Sequence, residues 1–120
     1  MPSGVTILIV DDNADVRRVI RTIIGDLASE IHECADGHEA LVAFGAHRPD
    51  WVLMDIQMGH LDGLTATGLI TTAWPGARVC MVTQYEDLGL RAAATQVGAS
   101  AYVVKDNLLS LRSILTGDRF

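Results

Sequence analysis

The chain has 120 residues, of which 49% are hydrophobic and 20% are charged, and its formal net charge is -6. This composition is typical of one globular domain of ordinary size, so we expect residues 1–120 to form a single domain. The net negative charge argues against direct nucleic-acid binding, since no basic run is longer than Arg17-Arg18. No apolar run approaches the ~20 residues that span a bilayer.

The first predicted element is a strand over residues 7–10, a continuous apolar run typical of a strand buried on both faces of a parallel sheet. It ends at the carboxylates Asp11 and Asp12. A helix beginning at Asn13 or Ala14 follows, because apolar residues then recur at the i, i+3, i+4 and i+7 spacing. Asp12 or Asn13 is suited to cap its start. The apolar residues of this helix are Val16, Val19, Ile20, Ile23, Ile24 and Leu27.

Two further strand–helix pairs are predicted in the middle of the chain. Short apolar runs indicate the strands, and turn residues such as Asp36-Gly37 separate them from the helices. The predicted ranges are residues 31–35 and 51–55 for the strands and 39–46 and 62–73 for the helices. The second of these strands ends on a carboxylate, Asp55.

The last part of the chain repeats the pattern twice. The predicted strands cover residues 78–83 and 101–105, and the predicted helices cover residues 86–97 and 107–115. The first of these strands ends on the hydroxyl of Thr83. The second ends on Lys105, the single lysine among nine basic residues.

Five alternations of strand and helix predict an α/β fold. The expected architecture is a doubly wound, five-stranded parallel sheet in the order 2-1-3-4-5, flanked on both faces by five helices with right-handed crossovers.

The polar residues at the strand ends form the candidate site. In this fold the carboxyl ends of the strands meet at one edge of the sheet. Each residue alone has a simpler interpretation: Asp12 or Asp55 as a cap, Thr83 as a strand residue, Lys105 as a surface charge. Polar residues at the ends of four strands favour a shared site instead. The residues are Asp11, Asp12, Asp55, Thr83 and Lys105.

The chemistry of such a site suits phosphoryl transfer. Carboxylates a few ångströms apart repel one another, and oxygen ligands without nitrogen or sulfur neighbours select a hard cation such as Mg²⁺. A cation, an ammonium and a hydroxyl can hold a transferring phosphoryl group. A carboxylate can serve as its nucleophile and form an aspartyl phosphate.

The whole pattern resembles the receiver domain of the response regulators of two-component phosphorelay signal transduction, a CheY-like, flavodoxin-like family. The resemblance covers essentially the whole chain and agrees in spacing as well as identity. The residues that carry it are Asp11, Asp12, Asp55, Asp62, Gly63, Thr83, Tyr102 and Lys105.

The resemblance implies a role for each site residue. Asp55 would be the phosphoacceptor, and its phosphoryl group would come from a sensor histidine kinase or a histidine phosphotransfer protein. Mg²⁺ would be held by Asp12, by Asp55 and by the backbone carbonyl of Gln57. Asp11 would act mainly through metal-bound water, and Lys105 would contact the phosphoryl oxygens.

The resemblance also implies a conformational switch. Thr83 would swing towards the phosphate and Tyr102 would turn inward with it. The face formed by helix 4, strand 5 and helix 5 would then change shape and bind a downstream protein, an output domain or a second copy of the chain. The domain would catalyse only its own phosphorylation and dephosphorylation, so we do not expect an enzyme.

Several positions depart from the family pattern. Gly59 stands where a proline is usual, which implies a looser loop. Gln84 stands where a small residue is usual, and its bulk is expected to crowd access to the phosphate. Gln57 and Tyr85 occupy positions that tune dephosphorylation. The neighbouring loop histidine, His60, is expected to be solvated.

Three other functions compete with the phosphorylation switch. Asp106 replaces the proline that usually follows the lysine, as in the receivers of helix-turn-helix transcription regulators, so the chain is alternatively a fragment of such a DNA-binding regulator. A phosphatase acting on outside substrates is disfavoured, because those enzymes carry a second Asp where Gln57 stands. A nucleotide-binding module is disfavoured too, since neither glycine-rich phosphate-binding motif occurs.

The cysteines and the N-terminus point to the cytoplasm. Cys34 and Cys80 lie within apolar strand-like runs, which favours buried free thiols over a disulfide. Residues 1–6 lack the basic start and small-residue cleavage site of a signal peptide.

Overall fold

The fold is built on five strands within residues 4–59 and 61–117, the part of the chain that this computed structural model describes. The strands are β1 (Val5–Val10), β2 (Ala28–Cys34), β3 (Trp51–Asp55), β4 (Val79–Thr83) and β5 (Ala101–Val104). They form a single parallel sheet in the order β2-β1-β3-β4-β5. The predicted strand order is therefore confirmed.

Helices connect the strands and cover both faces of the sheet. They are α1 (Ala14–Ile24), α2 (Gly37–His47), α3 (Gly63–Ala73), α4 (Leu88–Gln96) and α5 (Leu111–Thr116). Short 3₁₀ turns cover Gly25–Leu27 and Lys105–Ser110. The fold class is confirmed as a doubly wound α/β sheet. Among the described residues, none of the helices combines the length and apolar character that crossing a bilayer requires.

Helix bounds differ from the prediction where a cap or a turn decides them. Asp36 is the N-cap of α2, since its Oδ1 accepts from the Glu39 N–H at 2.9 Å, and the helix begins two residues earlier than predicted. Asp87 caps α4 in the same way, so that helix begins two residues later. The segment predicted as the start of the last helix is 3₁₀, interrupted by a non-helical Asn107.

The core consists of two apolar layers, one on each face of the sheet. Along β1, the side chains of Ile7 and Ile9 enter one layer and those of Leu8 and Val10 the other, as the two-residue repeat of a strand requires. The layer containing Ile7 and Ile9 is closed by α1 and α5, and the second layer is closed by α2, α3 and α4. Cys34 and Cys80 are buried free thiols, as predicted.

Candidate functional site

Strand alternation sorts the predicted site residues onto the two faces of the sheet. In β3, Trp51 and Leu53 face the layer of α1 and α5, and Asp55 continues that series at the strand end. In β4, Met81 faces the opposite layer, and Thr83 continues that series. Asp55 and Thr83 therefore start from opposite faces of the sheet edge.

Three carboxylates converge at this edge. Single oxygens of Asp11, Asp12 and Asp55 all lie within 4.8 Å of one another. The residues Asp11 and Asp55 are buried, with 1% and 5% of their surface exposed, whereas Asp12 is exposed. The predicted cluster of carboxylates is therefore present, and it opens to solvent on the side of Asp12.

Lys105 provides the positive charge inside the cluster. Its Nζ lies 2.9 Å from Asp11 Oδ2 and 3.4 Å from Asp55 Oδ1. Burial alone would lower the pKa of Lys105, but its close ion pair with Asp11 and the charge of Asp55 hold that pKa above its ordinary value. The ammonium is therefore fixed as a cation between the two buried carboxylates.

Asp55 retains a raised proton affinity despite this partner. Burial and the neighbouring charge of Asp11 raise the pKa of its carboxyl from 3.8 to about 6, against the opposing effects of Lys105 and the Gln57 backbone. One ammonium does not offset this cluster of carboxylates. A further cation would relieve the remaining repulsion.

The donor set fits a hard divalent ion. Asp11 Oδ1 accepts from the Asn13 N–H at 2.9 Å, but Asp11 Oδ2 is buried and has no hydrogen-bond partner among the described residues. Its close contact with Lys105 is an ion pair whose geometry is not that of a hydrogen bond. A buried carboxylate oxygen without a hydrogen-bond donor, beside two more carboxylates, is a suitable ligand for Mg²⁺.

The loop after β3 is held close to the site by Gly63. A Cβ at this position would lie 1.9 Å from the Asp55 carbonyl oxygen, which no side chain could tolerate. The Gly63 N–H donates to the Ile56 carbonyl at 2.8 Å, and Asp62 caps α3 by accepting from the Thr65 N–H at 2.8 Å. The Asp62-Gly63 pair therefore folds the loop back against the end of β3.

The mouth of the site is a small cavity of about 190 Å³ that contains two glutamines. Gln57 and Gln84 line it, and the Gln84 amide nitrogen donates to the Tyr85 hydroxyl at 2.8 Å. Gln84 is exposed where it lines this cavity, and its crowding of access to the phosphate stays a prediction. Gly59 is exposed, and His60 lies outside the described residues. The other residues of the cavity are Asp11, Asp12, Asn13, Asp55 and Lys105.

Thr83 and Tyr102 are not brought into this cavity. Thr83 is fully buried, and its hydroxyl accepts from the Tyr85 N–H at 3.3 Å. The Tyr102 hydroxyl donates to the Tyr85 carbonyl at 2.7 Å, so both residues are bonded to the backbone of the loop between β4 and α4. Their shared contact is with that loop, outside the carboxylate cluster.

Two residues at the site were not among those predicted for it. Asn13 was considered only as a helix cap, a contact it makes to the N–H groups of Asp15 and Val16, yet it also lines the cavity. Arg17 donates to the backbone carbonyl of Asp11 from the first turn of α1. Helical periodicity placed it on the polar face, and nothing local in the sequence indicates its contact.

Comparison with known proteins gives a consistent result. Residues 7–115 match the family model described as response regulator receiver domain. The transcriptional regulatory protein LnrK of Bacillus subtilis is 37% identical over 105 residues, which cover 85% of this chain and 47% of that protein. The chain spans about half the length of that relative and of several others that it matches.

Solved structures agree with the sequence relatives. A two-component response regulator of the LuxR family from Aurantimonas is 30% identical, with a TM-score of 0.86 over 98% of this chain and 89% of that one. The chemotaxis protein CheY4 of Vibrio cholerae, at 24% identity, shares the fold with a TM-score of 0.87 over 95% of this chain and 98% of that one. The chain belongs to the response regulator receiver domain family.

Proposed function

We propose that the chain is a phosphorylation switch in which Asp55 accepts a phosphoryl group from a phosphohistidine. The donor would be a sensor histidine kinase or a histidine phosphotransfer protein. The observation that carries this proposal is the convergence of Asp11, Asp12 and Asp55 at one edge of the sheet, with the Lys105 ammonium paired to Asp11 and Asp55. Residues 1–120 would then act as a single receiver domain, and it would be no enzyme towards outside substrates.

Each residue has a defined part in the transfer. A carboxylate oxygen of Asp55 attacks phosphorus, the phosphorus–nitrogen bond of the donor breaks, and its electron pair remains on the imidazole. Lys105 is placed beside Asp55 to pair with a phosphoryl oxygen as negative charge accumulates. Asp12, Asp55 and the Gln57 carbonyl would hold Mg²⁺, with Asp11 acting through bound water. The ion supplies charge neutralisation for the carboxylates and the incoming phosphoryl group.

The switch would run from Thr83 to the face formed by α4, β5 and α5. Thr83 and Tyr102 start from one face of the sheet and both bond to the backbone of Tyr85, which supports their moving together. Tyr102 also lines a groove of about 330 Å³ with Glu86 and Arg91. A downstream protein, an output domain or a second copy of the chain would bind this face.

A second candidate is a receiver fragment of a helix-turn-helix DNA-binding regulator. The observation that favours it is the similarity to the transcriptional regulatory protein LnrK, of which this chain spans about half. In that case the face of α4, β5 and α5 would contact a DNA-binding domain in the same polypeptide. The phosphorylation chemistry at Asp55 is the same under both proposals.

Intact mass after incubation with acetyl phosphate and Mg²⁺ tests the phosphoacceptor. The unaltered chain should gain one phosphoryl group, and Asp55→Asn should gain none. Asp15→Asn is the matched control, because Asp15 is exposed and pairs only with Arg18 at the surface. A phosphoryl group on Asp55→Asn would contradict the assignment. If the unaltered chain gains no mass, a phosphorylated histidine donor replaces acetyl phosphate, and failure with both overturns the proposal.

A further inference from the structure

Arg17 links the acidic turn after β1 to the edge strand of the sheet. One of its guanidinium nitrogens, Nη1, donates to the backbone carbonyl of Asp11, and its Nε donates to Glu33 Oε1 at 2.8 Å. The side chain is only 19% exposed. A single planar group therefore contacts both the carboxylate turn and β2.

Glu33 fixes the orientation of this guanidinium. Its second oxygen, Oε2, accepts from Arg21 Nε at 2.8 Å, so its two oxygens are shared between Arg17 and Arg21. Burial alone would raise the pKa of Glu33, but the hydrogen bonds from the two arginines lower it below its ordinary value. The Glu33 carboxylate stays charged, and two one-turn-spaced arginines of α1 hold it in place.

Hydrogen bonds fix the backbone N–H, the backbone carbonyl and one side-chain oxygen of Asp11. Its N–H donates to the Cys34 carbonyl at 3.1 Å, and its carbonyl accepts from Arg17. Its side-chain Oδ1 accepts from the Asn13 N–H. The remaining oxygen, Oδ2, is the one that points into the carboxylate cluster. Of these contacts, the one from Arg17 comes from a side chain that a substitution can remove.

We propose that Arg17 is a positioning residue that sets the affinity of the Asp11-Asp12 turn for Mg²⁺. This inference rests on the proposed function, because it concerns the same carboxylates. Side chains that orient metal ligands without touching the metal commonly govern affinity through the geometry of those ligands. Arg17 would orient the Asp11 carboxylate through its hydrogen bond to the Asp11 main chain, and Glu33 holds the Arg17 guanidinium in place.

Electrostatics alone predicts the opposite outcome. Removing a positive charge near a cation site reduces repulsion and should tighten Mg²⁺ binding. Removing a positioning contact should weaken it. The sign of the change therefore distinguishes a positioning role from a charge effect.

Isothermal titration with Mg²⁺ tests the proposal on Arg17→Gln, with Arg21→Gln as the matched control. Both substitutions remove one positive charge from α1 and one partner of Glu33, but only the first removes the contact to Asp11. Arg17→Gln should raise the Mg²⁺ Kd by about 10-fold. Arg21→Gln should leave the Kd unchanged or lower it. Thermal unfolding of both variants checks that they are folded.

Amide hydrogen exchange distinguishes a local effect at the Asp11-Asp12 turn from a general loss of stability, which would speed exchange throughout the chain. Exchange at residues 11–13 should become faster in Arg17→Gln than in Arg21→Gln, while exchange in β3 stays the same in both. If Arg17→Gln fails to fold, Arg17→Lys replaces it in the same titration. The lysine ammonium keeps the positive charge but lacks the planar guanidinium that contacts both Asp11 and Glu33. Arg17→Lys should therefore weaken Mg²⁺ binding about threefold.

The outcomes separate the two proposals. No Mg²⁺ binding by the unaltered chain overturns the metal site in the proposed function. Normal binding by the unaltered chain, with Arg17→Gln binding as tightly as Arg21→Gln or more tightly, overturns the positioning role alone.

Discussion

At the scale of single residues, Asp55 is destabilising for the folded chain at neutral pH. Its pKa is raised from 3.8 to about 6 by burial and by Asp11. Below pH 3.8 the carboxyl is protonated in both the folded and the unfolded chain and contributes nothing. Between pH 3.8 and about 6, the Asp55 carboxyl ionises readily only in the unfolded chain. The free energy of unfolding therefore falls as the pH rises through this window, and it stays lower at higher pH. A rise in pKa from 3.8 to about 6 corresponds to a cost of about 3 kcal/mol at pH 7.

The replacement Asp55→Asn should therefore stabilise the chain at pH 7 in the absence of Mg²⁺. We expect a gain of about 1 to 3 kcal/mol in the free energy of unfolding, measured by urea denaturation. The gain should shrink as the pH falls from 6 towards 4, where Asp55 itself becomes neutral. A gain that is equal at pH 4 and pH 7 would assign it to something other than this ionisation.

Gln84 is the second residue whose chemistry leads to a prediction. Its side chain stands at the mouth of the cavity and is held by the Tyr85 hydroxyl. Breaking one exposed hydrogen bond costs about 1 kcal/mol, which corresponds to a rate factor of about fivefold if this bond must open before phosphoryl transfer. Gln84→Ala should therefore raise the rate of phosphorylation by acetyl phosphate by about that factor. Measuring the intact mass at successive times gives this rate.

Tyr85→Phe is the companion to that variant. It removes the hydroxyl that holds Gln84 but leaves the bulk of Gln84 in place, so the acceleration should be smaller and of the same sign. Unchanged rates in both variants would show that access is not limited at this position.

At the scale of elements, α4 has the weakest attachment to the core. Ala94 is the one buried residue among its nine, and Leu88 at its start is 85% exposed. By contrast, α1 buries Ile20 and Ile24. Because local opening is easiest where little apolar surface is buried, the amides of α4 should exchange with solvent faster than those of α1. Native-state hydrogen exchange measures this directly, and equal protection of the two helices would contradict it.

The helix starts show what local sequence can and cannot predict. The apolar repeat placed the start of α1 correctly because Ile20 and Ile24 are buried on one face of it, but Leu27 lies in the 3₁₀ turn that follows the helix, and Val19 is 48% exposed. The starts of α2 and α4 depended on the caps Asp36 and Asp87, and hydrophobic periodicity carries no information about caps. The pair Asp36-Gly37 predicts a turn instead of a cap, because Asp-Gly is also a common turn pair.

At the scale of the whole molecule, the sheet divides the predicted site residues into two halves. Asp11, Asp55 and Lys105 lie together at the carboxylate cluster, whereas Thr83 and Tyr102 meet at the loop before α4. Strand order could be predicted, and so could the convergence of Asp11, Asp12, Asp55 and Lys105 at one edge of the sheet, whereas the places of Asn13 and Arg17 beside them could not. Which half each residue joins depends on the parity of its position along the strand.

Long-range contacts mark the limit of sequence reasoning at this scale. Arg17 reaches Glu33, sixteen positions further along the chain, because β2 lies beside β1 at the edge of the sheet. The polar face of α1 offered several arginines, and only the assembled fold selects which of them meets the acidic turn. The same limit applies to the stacking of Arg91 on Tyr102, whose ring centroid lies 4.5 Å from the guanidinium.

Mg²⁺ should couple the site to the stability of the entire domain. An ion that binds the folded chain and not the unfolded one stabilises it by mass action, by about 2.7 kcal/mol at one hundred times its Kd. Urea unfolding at pH 7 should therefore shift to a midpoint higher by about 1 to 2 M when Mg²⁺ is added at that level. The shift should be larger than any effect of the same ionic strength supplied as NaCl, because the carboxylates that repel one another are gathered within 4.8 Å.

Asp12→Asn separates this linkage from general salt effects. Asp12 is exposed, so its replacement should leave the stability of the metal-free chain nearly unchanged while removing one ligand. The variant should lose most of the Mg²⁺-dependent shift and keep the small response to NaCl. If Asp12→Asn is stabilised by Mg²⁺ as strongly as the unaltered chain, the ion binds elsewhere on the molecule and the carboxylate cluster is not its site.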